Sequence, residues 1–168
     1  MINDPVSARE ARPWPDDLVA LYAAEHLGLV RAAYLICGSV AAAEDAVHEA
    51  VTRVVGRWES VENGRSYLYV AAVNAARDAA RRDQRSRRLF ATHRAADDHA
   101  DFAGLSAESM QLRGALTRLP VNQRAAIVLR YFLDWDDDEI AQHYGVRPAT
   151  VRSWVHRGIG RLRKDWDR

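Results

Sequence analysis

Apolar side chains recur at helical spacing along most of the chain. The clearest stretch lies between residues 43 and 58, where apolar positions alternate spacings of three and one. This pattern predicts a helix with one apolar face. The opposite face is polar, acidic near its start and basic near its end, as the helix dipole favours. The apolar positions are Ala43, Ala46, Val47, Ala50, Val51, Val54, Val55 and Trp58.

Further segments with this periodicity predict an all-α fold. A first helix is expected from about Asp16 to about Cys37, where Gly38 ends it. A later helix is expected from about Ser66, whose hydroxyl is a candidate cap, through Arg82. Its first half is apolar and its second half is polar and basic. This predicts that one end is buried and that the other faces solvent or a charged partner.

The chain after residue 83 divides into a linker and a second small domain. Residues 84–106 show little sustained periodicity and are interpreted as a flexible linker. An amphipathic helix around Leu116 is then expected to end at Pro120, and another to end near Phe132. Asp136, followed three residues later by Glu139, predicts a capping box at the start of a further helix.

Residues 137–154 are typical of a helix-turn-helix, although a small bundle with an ordinary cationic surface remains an alternative. Ala141 is small enough for the crossing of two helices, and Gly145 tolerates the positive φ of the turn. Pro148 suits the first turn of the second helix. That helix leaves a polar, basic face for a major groove: Ala149, Thr150, Arg152, Ser153, His156 and Arg157.

The distribution of charge adds to this picture more than the net charge of +1 does. Residues 1–62 carry net −5, residues 63–94 net +6, residues 95–111 net −4, residues 112–145 net −1 and residues 146–168 net +5. Two basic blocks predict two nucleic-acid-facing surfaces, with solvated Arg-rich helix ends as the alternative. The acidic segment between them also predicts a compact free protein in which both surfaces are masked.

Enzymatic and membrane functions find little support in the sequence. Cys37 is the single cysteine, so an internal disulfide or a cysteine-based zinc site is excluded. The six histidines are scattered and form no His-Glu-x-x-His pair, so we expect no enzyme, metal or cofactor. No apolar run approaches the ~20 residues of a membrane span, and the N-terminus lacks signal-peptide features. A cytoplasmic protein without membrane insertion is expected.

Five motifs, taken in order, resemble those of the extracytoplasmic-function (group 4) sigma factors of the sigma-70 family. Within this group the chain is most similar in type to the actinobacterial members. The resemblance spans residues 17–83 and 107–165. The motifs are Asp45-Ala46-Val47-His48-Glu49-Ala50; Trp58; Ser66-Tyr67-Leu68 leading to Val73-Asn74-Ala75-Ala76-Arg77-Asp78; Leu119-Pro120-Val121-Asn122-Gln123-Arg124; and the helix-turn-helix.

The resemblance implies two small helical domains joined by the linker, and no σ3 domain. A tail of residues 1–15 would precede a σ2 domain at 16–83, and a σ4 domain would occupy 107–168. Such a protein would bind core RNA polymerase, through the clamp helices of the largest subunit and through the flap, and direct initiation at promoter DNA. An anti-sigma factor is a further implied partner.

The resemblance also implies roles for individual residues. The polar face of the second helix would bind core polymerase: Asp45, His48, Glu49, Arg53 and Arg57. The third helix would read the minus-ten element: Asn74, Arg77, Asp78 and Arg81. The loop from Glu59 to Gly64 would help to form a pocket for a flipped base. The minus-thirty-five element would meet Arg124, Arg147, Thr150, Arg152, Ser153, His156 and Arg157.

A second class of function competes with this one. A stand-alone helix-turn-helix regulator would use its N-terminal half for dimerisation or for sensing a ligand. The basic, Asn-containing end of the third helix favours the sigma factor, because a dimerisation domain would not need it.

Overall fold

The computed structural model describes residues 14–90 and 107–166, and within these it contains α-helices and one short 3₁₀ helix but no strand. The N-terminal bundle consists of α1 (Asp16–Cys37), α2 (Val40–Val55), the 3₁₀ helix Trp58–Ser60 and α3 (Gly64–Phe90). The C-terminal bundle consists of α4 (Ala107–Thr117), α5 (Val121–Phe132), α6 (Asp137–Tyr144) and α7 (Pro148–Trp166). The predicted all-α class is confirmed.

The boundaries of α1 are the predicted ones. Gly38 adopts φ 78°, and its N–H donates to the carbonyl of Tyr34, so a left-handed glycine closes the helix. The next helix begins at once, since the Ser39 side chain accepts a hydrogen bond from the N–H of Ala42. The three helices of the N-terminal bundle enclose fully buried side chains: Leu18, Leu29, Ile36, Val47, Val51, Leu68 and Val73.

The structure of α3 differs from the prediction at both ends. Its first turn is capped by Asn63, whose Oδ1 accepts from the N–H of Ser66 at 3.1 Å, whereas Ser66 itself was expected to be the cap. The helix then continues past Arg82 to Phe90. Arginine is a good helix former, and Arg87 pairs with Asp83 one turn earlier at 2.8 Å, so a polar sequence remains helical without an apolar face. The rest of the predicted linker lies outside the described residues.

The helix-turn-helix is confirmed. Asp136 and Glu139 form the predicted capping box, with both hydrogen bonds at 2.8 Å. Gly145 adopts φ 62°, as the turn requires, and Ala141 is buried at the crossing. Buried side chains on α6 and α7, among them Ile140 and Val151, lock the two helices together.

Among the described residues, α1 is the one helix that is long and apolar enough to cross a membrane, with a mean hydropathy of 1.3. The expectation that no segment approaches this length is therefore wrong for α1. In the structure, however, α1 packs against α2 and α3 and also against α4 and α5. Its buried residues, which include Leu18, Leu29 and Ile36, are those expected of a core helix in a bundle.

The two bundles share one large apolar cluster, beside which Leu116, Leu119 and Ile127 form a smaller cluster of the C-terminal bundle. Helix α5 packs against α1 and α3 as well as against α7, and α4 packs against α1. Ala125 and Leu129 of α5 are fully buried in the same cluster as Leu29 and Val73 of the N-terminal bundle. The structure is therefore a closed arrangement, in which the C-terminal bundle lies on α1 and α3.

Candidate nucleic-acid interface

The polar face of α2 is open to solvent. Glu49 is half-buried and pairs with Arg53 at 2.5 Å, while Arg82 of α3 approaches the same carboxylate at 3.9 Å. The pairs are exposed and contribute little to stability, so these side chains are free to exchange partners. The remaining predicted polymerase-binding residues are exposed: Asp45, His48 and Arg57.

An open cleft of about 480 Å³ lies where the loop before α3 meets the start of α1. Trp58 supplies an aromatic surface, and Asp17, Glu59 and Glu62 supply carboxylates. The predicted pocket segment, from Glu59 to Gly64, therefore contributes to a real cleft. Its other lining residues are Pro15, Leu21, Val61 and Gly64.

Nearby, a polar bridge ties α1 to α3. Glu25, which interrupts the apolar stripe of α1, accepts from Arg65 Nε and from the Tyr69 hydroxyl, both at 2.8 Å. The hydrogen bond from Arg65 is the main cause that lowers the pKa of Glu25. Burial, followed by the bond to Glu25, raises the pKa of Tyr69 to about 12. Glu25, although it lies within an apolar stripe, is thus paired with two polar side chains of α3.

The predicted minus-ten face of α3 is covered by the C-terminal bundle. Arg77 donates from Nε and Nη2 to Oδ1 of Asn122 on α5, at 3.2 and 3.1 Å. Arg81 Nη2 donates to the same oxygen at 2.7 Å. Both arginines are half-buried, whereas Asp78 on this helix remains exposed.

Helix α6 completes this cover. The guanidinium of Arg77 lies over the ring of Tyr144, 4.2 Å from its centroid. The side-chain amide of Asn74 lies 2.9 Å (Nδ2) and 3.1 Å (Oδ1) from Nε2 of His143. Burial lowers the pKa of Arg77 and raises that of Tyr144 to about 12. Three of the four predicted minus-ten residues, Asn74, Arg77 and Arg81, therefore contact side chains of the C-terminal bundle.

Arg124, predicted to meet DNA phosphate, lies in the interior with 6% of its surface exposed. Its Nη2 donates to the carbonyls of Thr117 and Leu119 at 2.8 and 3.0 Å, and its Nη1 donates to the carbonyl of Ile36. Burial lowers the pKa of Arg124 to about 10, so the side chain is still charged at neutral pH. In this arrangement Arg124 joins the ends of α1 and α4 and does not reach a DNA-facing surface.

Arg113 makes a similar contact that the sequence did not reveal. Its Nη1 donates to the carbonyl of Gly38 at 2.9 Å, and its guanidinium lies 5.6 Å from the ring centroid of Tyr34. Helix α1 has no basic residue in its own last turn. Arg113 and Arg124, both from the C-terminal bundle, place cations at this negative helix end.

The second helix of the helix-turn-helix, in contrast, presents an open cationic face. Its basic residues Arg152, His156 and Arg157 are exposed, as is Arg147 just before the helix, and Thr150 and Ser153 are half-buried beside them. Arg157 Nη2 donates to Ser153 Oγ at 2.6 Å, which holds its side chain along the helix. Trp154 faces Tyr144 at a centroid distance of 6.4 Å and therefore packs within the wedge.

This geometry is that of a helix-turn-helix DNA-binding protein with a second helical bundle docked on it. Residues 21–86 match the family described as Sigma-70 region 2, and residues 109–162 match Sigma-70, region 4. The chain belongs to the sigma-70 family of RNA polymerase sigma factors, in its extracytoplasmic-function group. As such it binds core RNA polymerase, recognises promoter DNA and directs transcription initiation.

Individual relatives agree with this assignment. The chain is 29% identical over 143 residues to an RNA polymerase sigma-E factor of Streptomyces coelicolor, an alignment that covers 82% of this chain and 78% of the relative. It is 35% identical over 120 residues to the RNA polymerase sigma factor CarQ of Myxococcus xanthus, covering 68% and 67% of the two chains.

A solved structure supports the fold. The sigma factor RpoE of Bartonella quintana, crystallised with the anti-sigma factor NepR, matches with a TM-score of 0.68 at 20% identity, covering 91% of this chain and 98% of that one.

The match of the N-terminal half to region 2 disfavours the alternative of a stand-alone regulator with a sensing domain.

Proposed function

We propose that the two bundles divide the work of the sigma factor: the N-terminal bundle, from residue 16 to the end of α3 at Phe90, acts as σ2, and residues 107–168 act as σ4, with a linker between them. The open face of α2 supplies the contact with the clamp helices of core polymerase, through Asp45, His48, Glu49, Arg53 and Arg57. Its exposed mixture of carboxylates, imidazole and guanidinium groups supports this role, since such groups pair readily with a charged protein surface.

The open face of α7 is proposed to read the minus-thirty-five element, and this face is the observation that carries the assignment. An exposed row of donors on the second helix of a helix-turn-helix fits the width and the acceptors of a major groove. The proposed contacts are Arg147, Thr150, Arg152, Ser153, His156 and Arg157. Arg124 is left out, because its guanidinium already donates to three backbone carbonyls.

The middle of α3 and the cleft at the start of the same helix are proposed to take the minus-ten element. Asn74, Arg77, Asp78 and Arg81 would contact the melted strand, and a flipped base would enter the cleft against Trp58. Aromatic stacking and cationic contacts of this kind offset part of the cost of unstacking a base. In this role α3 acts only after the C-terminal bundle has left it.

We further propose that the protein works in the cytoplasm without chemistry of its own and is held by an anti-sigma factor. The Bartonella relative was crystallised with such a factor. The exposed polymerase-binding and minus-thirty-five faces are surfaces that such an inhibitor could cover.

The proposal is tested by mixing the purified chain with core polymerase and duplex fragments of the genome that encodes it, and by sequencing the 5′ ends of the RNA. We expect start sites that share one sequence pair at minus-ten and minus-thirty-five spacing. DNA binding by the free chain without any polymerase-dependent start site would instead support a stand-alone regulator.

A further inference from the structure

We infer that the exposed side of α1 is a docking surface for a second copy of this chain, which lies antiparallel to the first across a two-fold axis. Only 33% of the residues in the most apolar 18-residue stretch of α1 are buried, although that stretch has a mean hydropathy of 1.3. A helix that served only as a core element would carry polar residues on its open side. Helix α1 carries apolar ones there.

The open side of α1 is one continuous stripe. Val19 and Leu27 are 46% and 51% exposed. Exposed alanines lie between them: Ala20, Ala23 and Ala24. Asp16 precedes these apolar residues and Arg31 follows them, and both are exposed. All of these positions follow helical spacing, so they share one side of the helix. We call these seven residues the α1 stripe.

The same side of α1 is covered by a helix further along. Val30 and Tyr34 continue the α1 stripe at helical spacing, but they are 1% and 6% exposed. Helix α4 packs against α1, and the guanidinium of its Arg113 lies 5.6 Å from the ring centroid of Tyr34. This side of α1 therefore already accommodates one helix near its C-terminal end. The α1 stripe is the part that the described residues leave open.

The centre of the α1 stripe is complementary to itself when two copies lie antiparallel. A two-fold axis between Ala23 and Ala24 places each of these residues opposite the other in the second copy. The same axis places Leu27 opposite Ala20, so that a large side chain meets a small one on each side of the centre. Small residues at the crossing let two helix axes approach to about 8 Å.

The charges at the two ends select the antiparallel arrangement. Asp16 and Arg31 lie about 22 Å apart along one helix, too far to pair within a chain. Neither has an ion-pair partner among residues 14–90 and 107–166. In the antiparallel dimer each Asp16 meets Arg31 of the second copy, which gives two equivalent pairs. A parallel arrangement would instead bring like charges together.

The size of the α1 stripe predicts weak, reversible association. Seven side chains are few beside the roughly 20–30 residues that each partner contributes to a standard interface. A membrane surface fits the stripe less well than a second copy does. Helices that lie on membranes carry several basic residues beside their apolar face, whereas the α1 stripe begins with an acidic residue and has one basic residue.

Sedimentation equilibrium of the full chain tests the association. At low salt, between about 1 and about 200 µM, we expect the average mass to rise from 18.9 kDa towards that of a dimer. Ala23→Glu places two carboxylates together at the two-fold axis and should weaken association by about tenfold or more. Ala41→Glu, the same change at an exposed position of α2, is the control and should have no effect.

Two outcomes of this experiment would overturn the inference. A chain that stays monomeric at every concentration does not use the α1 stripe for a second copy. If that monomer sediments with vesicles of phosphatidylglycerol and phosphatidylcholine, and Ala23→Glu abolishes this, the stripe binds a membrane instead. Association that is equally strong in Ala23→Glu and in the wild type would place the interface elsewhere on the molecule.

An exchange of charges tests the antiparallel pairing. Asp16→Arg and Arg31→Asp each bring like charges together in a dimer of one variant, so each should weaken association about fivefold or more at low salt. An equimolar mixture of the two variants should associate about as well as the wild type, because the arginines of one chain then face the carboxylates of the other. This recovery should vanish at about 1 M salt. A mixture that associates no better than either variant alone would contradict the pairing.

Discussion

The two cationic surfaces of this sigma factor, on α7 and on α3, differ in what surrounds them. On α7 the basic side chains lie in solvent and await a duplex groove. On α3 the guanidinium groups of Arg77 and Arg81 are half-buried against Asn122 and Tyr144 of their own chain. Equal charge in the sequence therefore does not mean equal availability to DNA.

The difference has a physical basis in the helices that carry the two faces. The apolar side of α7 is already buried within the C-terminal bundle, through Val151 and Val155, so its polar side has no neighbour. In contrast, α3 has buried residues along one side, such as Val73 and Ala76, and its basic side borders the place where α5 packs on α1. Docking of α5 therefore covers the basic side of α3.

Arg124→Ala should have the largest effect on the stability of the protein. Arg124 links the two bundles, and the face of α3 is covered only while these bundles are packed together. Truncation leaves the carbonyls of Ile36, Thr117 and Leu119 unpaired in the interior, and each unpaired buried group costs about 1–3 kcal/mol. We expect a loss of about 3–5 kcal/mol in the free energy of unfolding, measured by urea denaturation.

The control for this variant is Arg118→Ala, which removes an exposed ion pair and should cost less than about 1 kcal/mol. Similar losses in the two variants would show that the buried Arg124 contacts do not carry the closed arrangement.

Arg152→Ala tests the open surface. If Arg152 contacts a base edge, the variant should lose about 1–3 kcal/mol of discrimination at the minus-thirty-five element, measured as holoenzyme affinity for matched and single-base-mismatched promoters. Equal weakening on all sequences would assign the side chain to phosphate.

Local features of the fold could be predicted from the sequence, whereas the docking of the bundles could not. Gly38, Gly145 and the Asp136–Glu139 capping box act through neighbours a few residues away, so their roles can be identified from sequence spacing. Arg113 and Arg124 act on carbonyls more than seventy residues distant in the chain. Nothing in their local pattern distinguishes them from a surface arginine, so the sequence predicts a DNA contact for Arg124 and no particular role for Arg113.

The candidate site shows the same division between local and distant information. The open face of α7 was predicted from the periodicity of a single helix, and its basic residues are exposed as expected. The cover over α3 depends on Asn122 and His143, whose partners lie in another bundle. The charge blocks predicted that both surfaces would be masked, yet among the described residues α5 and α6 cover only the α3 face.

Asn74→Ala tests the covered surface after it has opened. Association with core polymerase should be unchanged, because α2 is not altered, while open-complex formation should fall by about tenfold if the amide contacts the melted strand. Permanganate footprinting of the melted region would measure this. Gln84→Ala, an exposed change on the same helix, is the control. A loss of polymerase association in Asn74→Ala would give Asn74 a structural role instead.

The smallest expected effect is a pH dependence of the cover over α3. Although part of the His143 ring is exposed, burial against the rings of Trp135 and Tyr144, followed by the nearby charge of Arg77, lowers its pKa. The closed form therefore favours neutral His143. Closure should be complete above the ordinary histidine pKa of about 6.5 and should weaken as the pH falls through that value, levelling off below the lowered pKa.

Phenylglyoxal, which modifies accessible guanidinium groups, can be used to measure this change. The rate at which Arg77 reacts is divided by the rate of the exposed Arg147 at each pH, so the pH dependence of the reagent itself cancels. We expect the ratio to rise by less than about fivefold between about pH 7.5 and about pH 5.5, because the imidazole is only partly desolvated. His143→Gln keeps an amide beside Asn74 but cannot be protonated, so its ratio should stay constant. His156→Gln, an exposed change on α7, should retain the wild-type rise. A rise that persists in His143→Gln would assign the titration to another group, and the contrast between the covered and the open surface would then not depend on His143.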